Sequence, residues 1–211
     1  MFADSGPRGT LWVVAAPSGA GKTSLVNAVL ARDPNVRLSI SHTTRPPRPG
    51  ERDGRHYHFI DAAAFDALVK EDAFLEHARV FDHAYGTHRD PVDAELAAGH
   101  DVILEIDWQG ARQVRERVPD CRSVFILPPS VATLRARLAK RAQDSEDVIA
   151  RRMRDARAEM SHWREFDALV VNDDFDTALD DLCALLRAPR LRRAVQQQRY
   201  AALLEELLGS G

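Results

Sequence analysis

"AAPSGAGKTS", Ala15 to Ser24, is the stretch on which the reading of this chain turns. Of 29 basic residues only Lys22, Lys70 and Lys140 are lysine, and one of them stands directly after Gly-Ala-Gly. The stretch fits G-x-x-x-x-G-K-[ST] at every defined position except the first, where Ala16 replaces glycine. A bare G-K-[ST] is a weak signal, and a glycine-rich turn with a solvated lysine is the plain alternative. The flanks give the motif its weight. "TLWVVAA" (Thr10 to Ala16) is continuously apolar, as suits a strand buried on both faces of a parallel sheet. "KTSLVNAVLARD" has apolar Leu25, Val26, Val29 and Leu30 at helical spacing, and Asp33-Pro34 stops it. Strand, loop and helix in that order form an anion cradle: backbone N–H groups converge at the positive end of a helix. Ala16, Pro17, Ser18, Gly19, Ala20, Gly21, Lys22, Thr23 and Ser24 are the candidate phosphate-binding loop. Gly19 and Gly21 let the backbone curl, Lys22 supplies a compact charge for the outer phosphates, and Thr23 supplies a hydroxyl for Mg2+.

The chain has 211 residues and ordinary globular composition, with 45% apolar and 29% charged residues. Its net charge of −3 gives no general reason to expect nucleic acid or a membrane as partner, so an anion site must be a local arginine cluster. Cys121 and Cys183 lie far apart and outside metal-ligand spacing, which reads as two reduced thiols. "MFADSGPRGT" has no apolar core, and the apolar runs are too short to span a bilayer, so a soluble cytoplasmic protein is expected.

Three more buried-strand patterns follow: "DVILEID" (Asp101 to Asp107), "SVFILP" (Ser123 to Pro128) and "ALVVND" (Ala168 to Asp173). Helical patterns begin after them near Gln109, Ser130 and Asp174. This alternation predicts a three-layer α/β fold with a parallel sheet, whose ligands sit at the carboxyl ends of the strands. Lys22, Asp107 and Asn172 all fall at such ends. Two segments break the alternation. One, 41–99, opens with the Pro- and Arg-rich "SHTTRPPRPGERDGRHYHF", then has a helix near Asp61 to Val69 and the strand-like "FLEHARVF". The other, 130–164, is a pair of arginine-studded helices joined by "RAQDSED", with Asp144 or Ser145 as N-cap of the second. The remaining 1–40, 100–129 and 165–211 form the core, and "LRRAVQQQRYAALLEELLG" reads as one terminal helix.

At this point the sequence resembles the guanylate kinase family. Beyond the loop, the resemblance rests on "SHTTRPPRPGERDGRHYHF", "FLEHARVFDHAYGT", "LEIDWQGA", "FILPPS" and "VVNDD", in that order and over roughly residues 10 to 188. It implies a P-loop core, a GMP-binding insertion (41–99) and a mobile lid (130–164). It also implies Mg2+-dependent transfer of the γ-phosphoryl group of ATP to GMP or dGMP. By the same resemblance Ser41, Arg45, Arg48 and Tyr57 grip the GMP phosphate. Glu76 and Thr87 read guanine, with Tyr85 and Gly86 beside it. Glu105 and Asp107 lie near Mg2+ and GMP, Arg137, Arg141 and Arg152 cover the ATP phosphates, and Asn172 meets the ATP base. Lys22, Arg45, Arg141 and Arg152 are the implied catalytic groups. Glu105 stands where several members have Asp.

Each residue also has a plainer reading. Arg45 and Arg48 could be solvated loop charges, Glu76 a strand-face carboxylate, and Asp107 only a helix cap. His42, His77 and His162 lack ligand spacing and read as structural or exposed. Two other functions stay open: an inactive guanylate-kinase-like module that binds proteins, and a kinase for another monophosphate. Self-association is also left open.

Overall fold

The structure, a computed structural model, describes residues 7–80, 82–141 and 146–209, with all their side chains except those of Val80, Lys140 and Arg141. The chain opens with β1 (Leu11–Ala15), α1 (Lys22–Arg32), β2 (Val36–Leu38), β3 (His42–Thr43), β4 (His58–Phe59) and α2 (Ala62–Lys70). It continues with β5 (Phe74–Val80), β6 (His83–His88), α3 (Arg89–Ala97), β7 (Asp101–Glu105), α4 (Trp108–Arg117) and β8 (Arg122–Leu127). Next come α5 (Val131–Arg141), α6 (Glu146–Met160), a 3-10 turn at Ser161–Glu165, β9 (Ala168–Val171) and α7 (Phe175–Arg187). A second 3-10 turn at Ala188–Leu191 leads to α8 (Arg193–Arg199) and α9 (Ala201–Leu208).

Five strands form a parallel sheet in the order β2-β7-β1-β8-β9. Every residue of β1 is buried, and its side chains alternate between two cores. Trp12 and Val14 face α1 and α7, packing with Leu25, Val26, Val29, Leu182 and Leu186. Leu11 and Val13 face α3 and α4, packing with Val92, Leu96, Ala111 and Val114. Helices on both faces of a parallel sheet give the three layers expected from the sequence. Ala16 closes β1 without positive φ, a conformation that among the described non-glycine residues only Asp72 adopts.

A second, four-stranded sheet, β4-β3-β6-β5, occupies the first irregular segment. Its own small core stacks Phe65 of α2 on Phe74 of β5, with ring centroids 4.8 Å apart. β5 joins this sheet to the main core. Its register against β6 shifts between Phe74 and Glu76, so that Leu75 enters the α3/α4 core while Glu76 pairs with Thr87. The second irregular segment is the helix pair α5 and α6, closed by Leu134, Leu138, Ile149, Met153 and Ala156. The N-cap expected at Asp144 or Ser145 lies outside the described residues.

The single terminal helix expected from the sequence is two helices, broken at Tyr200 (φ −113°, ψ 27°). The hydrogen bonds Tyr200 N–H to Gln196 and Leu204 N–H to Tyr200 bracket the break, so the backbone bends without losing its ladder. Among the described residues no helix is long and apolar enough to cross a membrane.

His42 sits inside the second sheet, with ring centroids 4.7 Å from His58, 5.7 Å from His88 and 5.8 Å from Phe74. Its Nδ1 is buried without a hydrogen-bond partner. Burial, aided by the two neighbouring histidines, lowers its pKa to about 4. The fold therefore favours the neutral ring, and stability falls as pH drops from the ordinary value of 6.5 toward about 4. Replacing the ring by an apolar one of similar shape removes this dependence. The urea midpoint of His42→Phe should gain on that of wild type between pH 7 and pH 5, whereas parallel midpoints would deny His42 a share in the acid sensitivity.

Candidate active site

The loop between β1 and α1 turns at Gly19 (φ 88°) and Gly21 (φ 94°), where a side chain would be strained. Turning amides inward points carbonyls outward, and the carbonyl of the buried Ala20 is met by two donors. The Asn172 side-chain amide donates to it at 2.7 Å and the Arg137 guanidinium at 3.5 Å, while Arg137 also donates to the Asn172 carbonyl at 3.2 Å. A Cβ on Gly21 would stand 2.4 Å from that Asn172 nitrogen, and one on Gly19 would meet Leu134 and Leu138 of α5 at 3.1 Å each. The loop is thus pressed between the end of β9 and the α5/α6 pair. A cavity of about 370 Å³ opens beside it, lined by Gly19, Gly21, Ser24, Arg137, Asn172 and Phe175.

Lys22 donates to the Ile106 carbonyl at 3.0 Å, and the Thr23 hydroxyl donates to Glu105. Desolvation lowers the Lys22 pKa against the pull of Glu105, Asp107 and Glu159. Glu159, from the end of α6, accepts the Ser18 N–H at 3.1 Å. Burial raises its carboxyl pKa. Neither this contact nor the residue is visible in the sequence pattern, because the partners lie 141 positions apart in the chain.

Lys22 also borders a second cavity of about 470 Å³, where the two sheets meet. Ser41, Arg45, Arg48, Tyr57, Glu76 and Tyr85 line it from the second sheet and its loop, and Glu105 and Asp107 from the end of β7. Arg45 is 8% exposed, lies 5.5 Å from the Tyr57 ring centroid, and pairs with Glu51 at 2.8 Å. Glu51 also accepts the Arg48 amide at 2.7 Å, and these bonds hold its carboxyl at about 2. Sequence reasoning passed over Glu51, although an acid inside an arginine-rich loop is a signal for such a brace. Arg48 itself is exposed. Asp107 caps α4 by accepting the Gly110 N–H at 2.8 Å, so the plain reading of that residue holds alongside its place in the cavity.

Glu76 is only 5% exposed, and the fully buried Thr87 donates its hydroxyl to it at 2.6 Å. That proton is committed to the carboxylate, so Thr87 meets the cavity through Glu76. Burial chiefly, together with Asp107, pushes the Glu76 pKa up to about 7 against the Thr87 bond. Gly86 faces the Phe74 ring, which a Cβ would reach at 3.0 Å, and so serves packing. Arg152 of α6 is half-buried, and the side chain of Arg141 lies outside the described residues.

A parallel sheet whose first strand turns through a glycine-rich loop into a helix, with lysine and threonine at the helix start, defines a P-loop NTPase-like fold. The family model described as guanylate kinase matches residues 8–189. Guanylate kinase of Alkalilimnicola ehrlichii is 62% identical over 201 residues, 95% of this chain and 99% of that protein. That of Escherichia coli K12 is 56% identical over 203 residues, 95% of this chain and 98% of that protein. The crystal structure of guanylate kinase from Anaplasma phagocytophilum superposes with a TM-score of 0.75 at 30% identity, covering 99% of this chain and 100% of that one. The chain belongs to the guanylate kinase family.

The raised pKa of Glu76 has a direct check. Carbon-13 NMR of the free protein should show its carboxyl titrating near 7. Thr87→Val removes the bond that favours the charged form and should move that midpoint up by about one to two units. A midpoint that stays put or falls would remove Thr87 as the partner of the carboxylate. Because the folded pKa lies above the ordinary 4.5, wild type should lose stability as pH rises from 4.5 through about 7, and Glu76→Gln should not.

Proposed function

We propose that this protein is an ATP:GMP phosphotransferase that moves the γ-phosphoryl group of ATP to a phosphate oxygen of GMP or dGMP, giving ADP and GDP. One observation carries the reading: Lys22 of the glycine-rich loop borders the same cavity as Arg45, Arg48, Tyr57 and the buried Glu76. An outer-phosphate lysine, a cluster for an acceptor phosphate and a carboxylate fit for a base share one space. On this reading residues 41–99 bind GMP, residues 130–164 act as the lid, and the rest is the nucleotide core. Ala16 to Ser24, Arg137 and Asn172 take ATP, Asn172 chiefly by bracing the loop. We assign the protein to the cytoplasm, in line with two free cysteines.

Phosphoryl transfer leaves the protein mostly positioning and charge neutralisation. The acceptor oxygen is already anionic at neutral pH, so no general base is required. Lys22 leaves the Ile106 carbonyl for the donor phosphates, and the amides of the loop and α1 neutralise further charge. Arg45, held rigid by Glu51 and Tyr57, places the GMP phosphate in line, with Ser41 and Arg48 at the rim. Arg137, Arg141 and Arg152 come from the lid, whose closure keeps out water, the competing acceptor. Thr23, Glu105 and Asp107 offer only oxygen donors, a set suited to Mg2+ with nucleotide and water completing the shell. The Thr23–Glu105 contact puts two of them together. An ion held there would supply positive charge to offset that of the phosphates.

Guanine presents N1–H and the N2 amino group side by side, and an ionised Glu76 accepts from both. Adenine turns an acceptor toward the carboxylate, leaving a buried charge badly paired. The intact Gly19, Gly21, Lys22 and Thr23 favour transfer over a protein-binding module.

A coupled ADP-release assay against GMP, dGMP, AMP, UMP and CMP tests the activity, with GMP and dGMP expected as acceptors. Lys22→Met should lower kcat at least about 100-fold, near 2.7 kcal/mol, with circular dichroism and Tm unchanged. A smaller loss would sink the role of Lys22. Since Glu76 must be ionised, kcat/KM for GMP should climb with pH through about 7. Inosine monophosphate lacks the N2 amino group and should be poorer by roughly 10- to 150-fold. Glu76→Gln should shrink that ratio, and equal losses on both substrates would return Glu76 to a supporting role.

A further inference from the structure

Helix α4 lies along β5 and touches it at three positions a turn apart. Near its end, Arg117 donates to the Phe74 carbonyl at 3.2 Å. In its middle, the Gln113 side chain forms a two-bond bridge to the backbone of His77, accepting its N–H at 3.1 Å and donating to its carbonyl at 3.0 Å. In its first turn stands Gly110, buried, with its N–H given to Asp107. Opposite Gly110 is the carboxylate of Glu76. A Cβ built on Gly110 would stand 2.8 Å from Glu76 Oε2, 3.2 Å from its carboxyl carbon and 3.3 Å from the Ile106 side chain.

Glycine is a poor helix residue, and nothing in the backbone demands it here, since φ at Gly110 is not positive. Alanine would ordinarily strengthen this turn. The glycine is explained instead by what faces it. The helix cannot back away from an added methyl without straining the Gln113 bridge and the Arg117 bond, so the carboxylate must give. Glu76 is held from the other side by Thr87 at 2.6 Å, which leaves one seat for its oxygens. We infer that Gly110 is a positioning residue for base recognition: the missing Cβ sets the depth at which Glu76 presents its two oxygens to the purine. This rests on the reading of Glu76 as the guanine-binding carboxylate, but the seat itself can be examined without it.

The experiment uses the whole chain and the variant Gly110→Ala. Its Tm should equal or exceed wild type, as the helix gains a better residue. KM for GMP should rise about 10-fold or more, with kcat at saturating GMP and KM for ATP changed far less. The preference for GMP over inosine monophosphate should shrink toward that of Glu76→Gln. In the free protein, the Glu76 carboxyl should titrate above its wild-type midpoint, because the methyl displaces it from Thr87 and adds apolar surface. Glu76→Asp shortens the side chain by one methylene and makes room for the methyl. The double variant should therefore lose less than the two single losses multiplied together. Should Gly110→Ala melt early, this double variant should recover the Tm, since the clash is gone. Unchanged KM for GMP, base preference and Glu76 titration in Gly110→Ala would overturn the inference. So would multiplicative losses in the double variant. If Glu76→Gln keeps the base preference while Gly110→Ala still shifts the Glu76 titration, the seat stands and the reading of Glu76 falls.

Discussion

A loop that turns its amides toward an anion must turn its carbonyls away, and those carbonyls need donors of their own. Here that requirement falls on Ala20, and the Asn172 amide meets it at 2.7 Å. Much of the nucleotide side of the molecule follows from this bond. It fixes the loop against the end of β9 and excludes a side chain at Gly21. It also recruits Arg137, which bonds both the Ala20 and Asn172 carbonyls and so draws α5 against the loop. The leucines on that helix close over Gly19, and Glu159 takes the Ser18 amide from the far end of α6. The loop is thus braced at its Ala20 carbonyl by Asn172 and Arg137 and at its Ser18 amide by Glu159.

The acceptor side is organised by a different rule. A buried charge needs either a partner or a reason to be neutral. Arg45 has Glu51 and two aromatic rings around it, so its charge is kept and its position fixed. Glu76 has the neutral Thr87 as its partner among the described residues, and its pKa rises to about 7. Of these two acids, Glu51, drawn down, braces Arg45 from the loop before β4, and Glu76, pushed up, lines the cavity from β5. Ionisation of Glu76 is favoured again once donors arrive to bind it, which ties the charge of the site to its occupancy.

The core could be read from the sequence because buried parallel strands are continuous apolar runs, as "WVVA" and "VILE" are; "LVV" is a strand too, but it forms the sheet edge and leaves Leu169 and Val171 exposed, so the burial expected there is not found. The loop could be read because lysine is rare here and its flanks fit. The second sheet could not be drawn in detail: β3 and β4 are two residues each, too short to show a period, and β2 is a three-residue edge. The break at Tyr200 escaped because the residues around it all favour helix. At the site, Ser41, Arg45, Arg48, Tyr57, Glu76, Tyr85, Glu105 and Asp107 line one cavity, while Gly86 lies against Phe74 and Thr87 bonds Glu76. Glu51, Glu159 and Gly110 were passed over because each acts through a contact that only the fold brings about. Glycine in a helix registers in a sequence as a weakness, and its reason appears only when the facing carboxylate is in view.

The strand order carries a consequence for how the chain is made. β1 lies at the centre of the main sheet, yet its neighbours are β7 and β8, so Leu11–Ala15 has no strand to pair with until Asp101–Glu105 has been synthesised. The small sheet, whose strands all fall between His42 and His88, has no such wait. During synthesis the acceptor half is free to fold while the most apolar strand of the donor half is still solitary. The loop after β1 waits longer still, because Asn172 emerges only with the last strand. The part of the molecule that comes first in the sequence is thus the last to be finished, and a ribosome-bound chain lacking its final strand would have its glycines and its lysine without the brace that makes them a site.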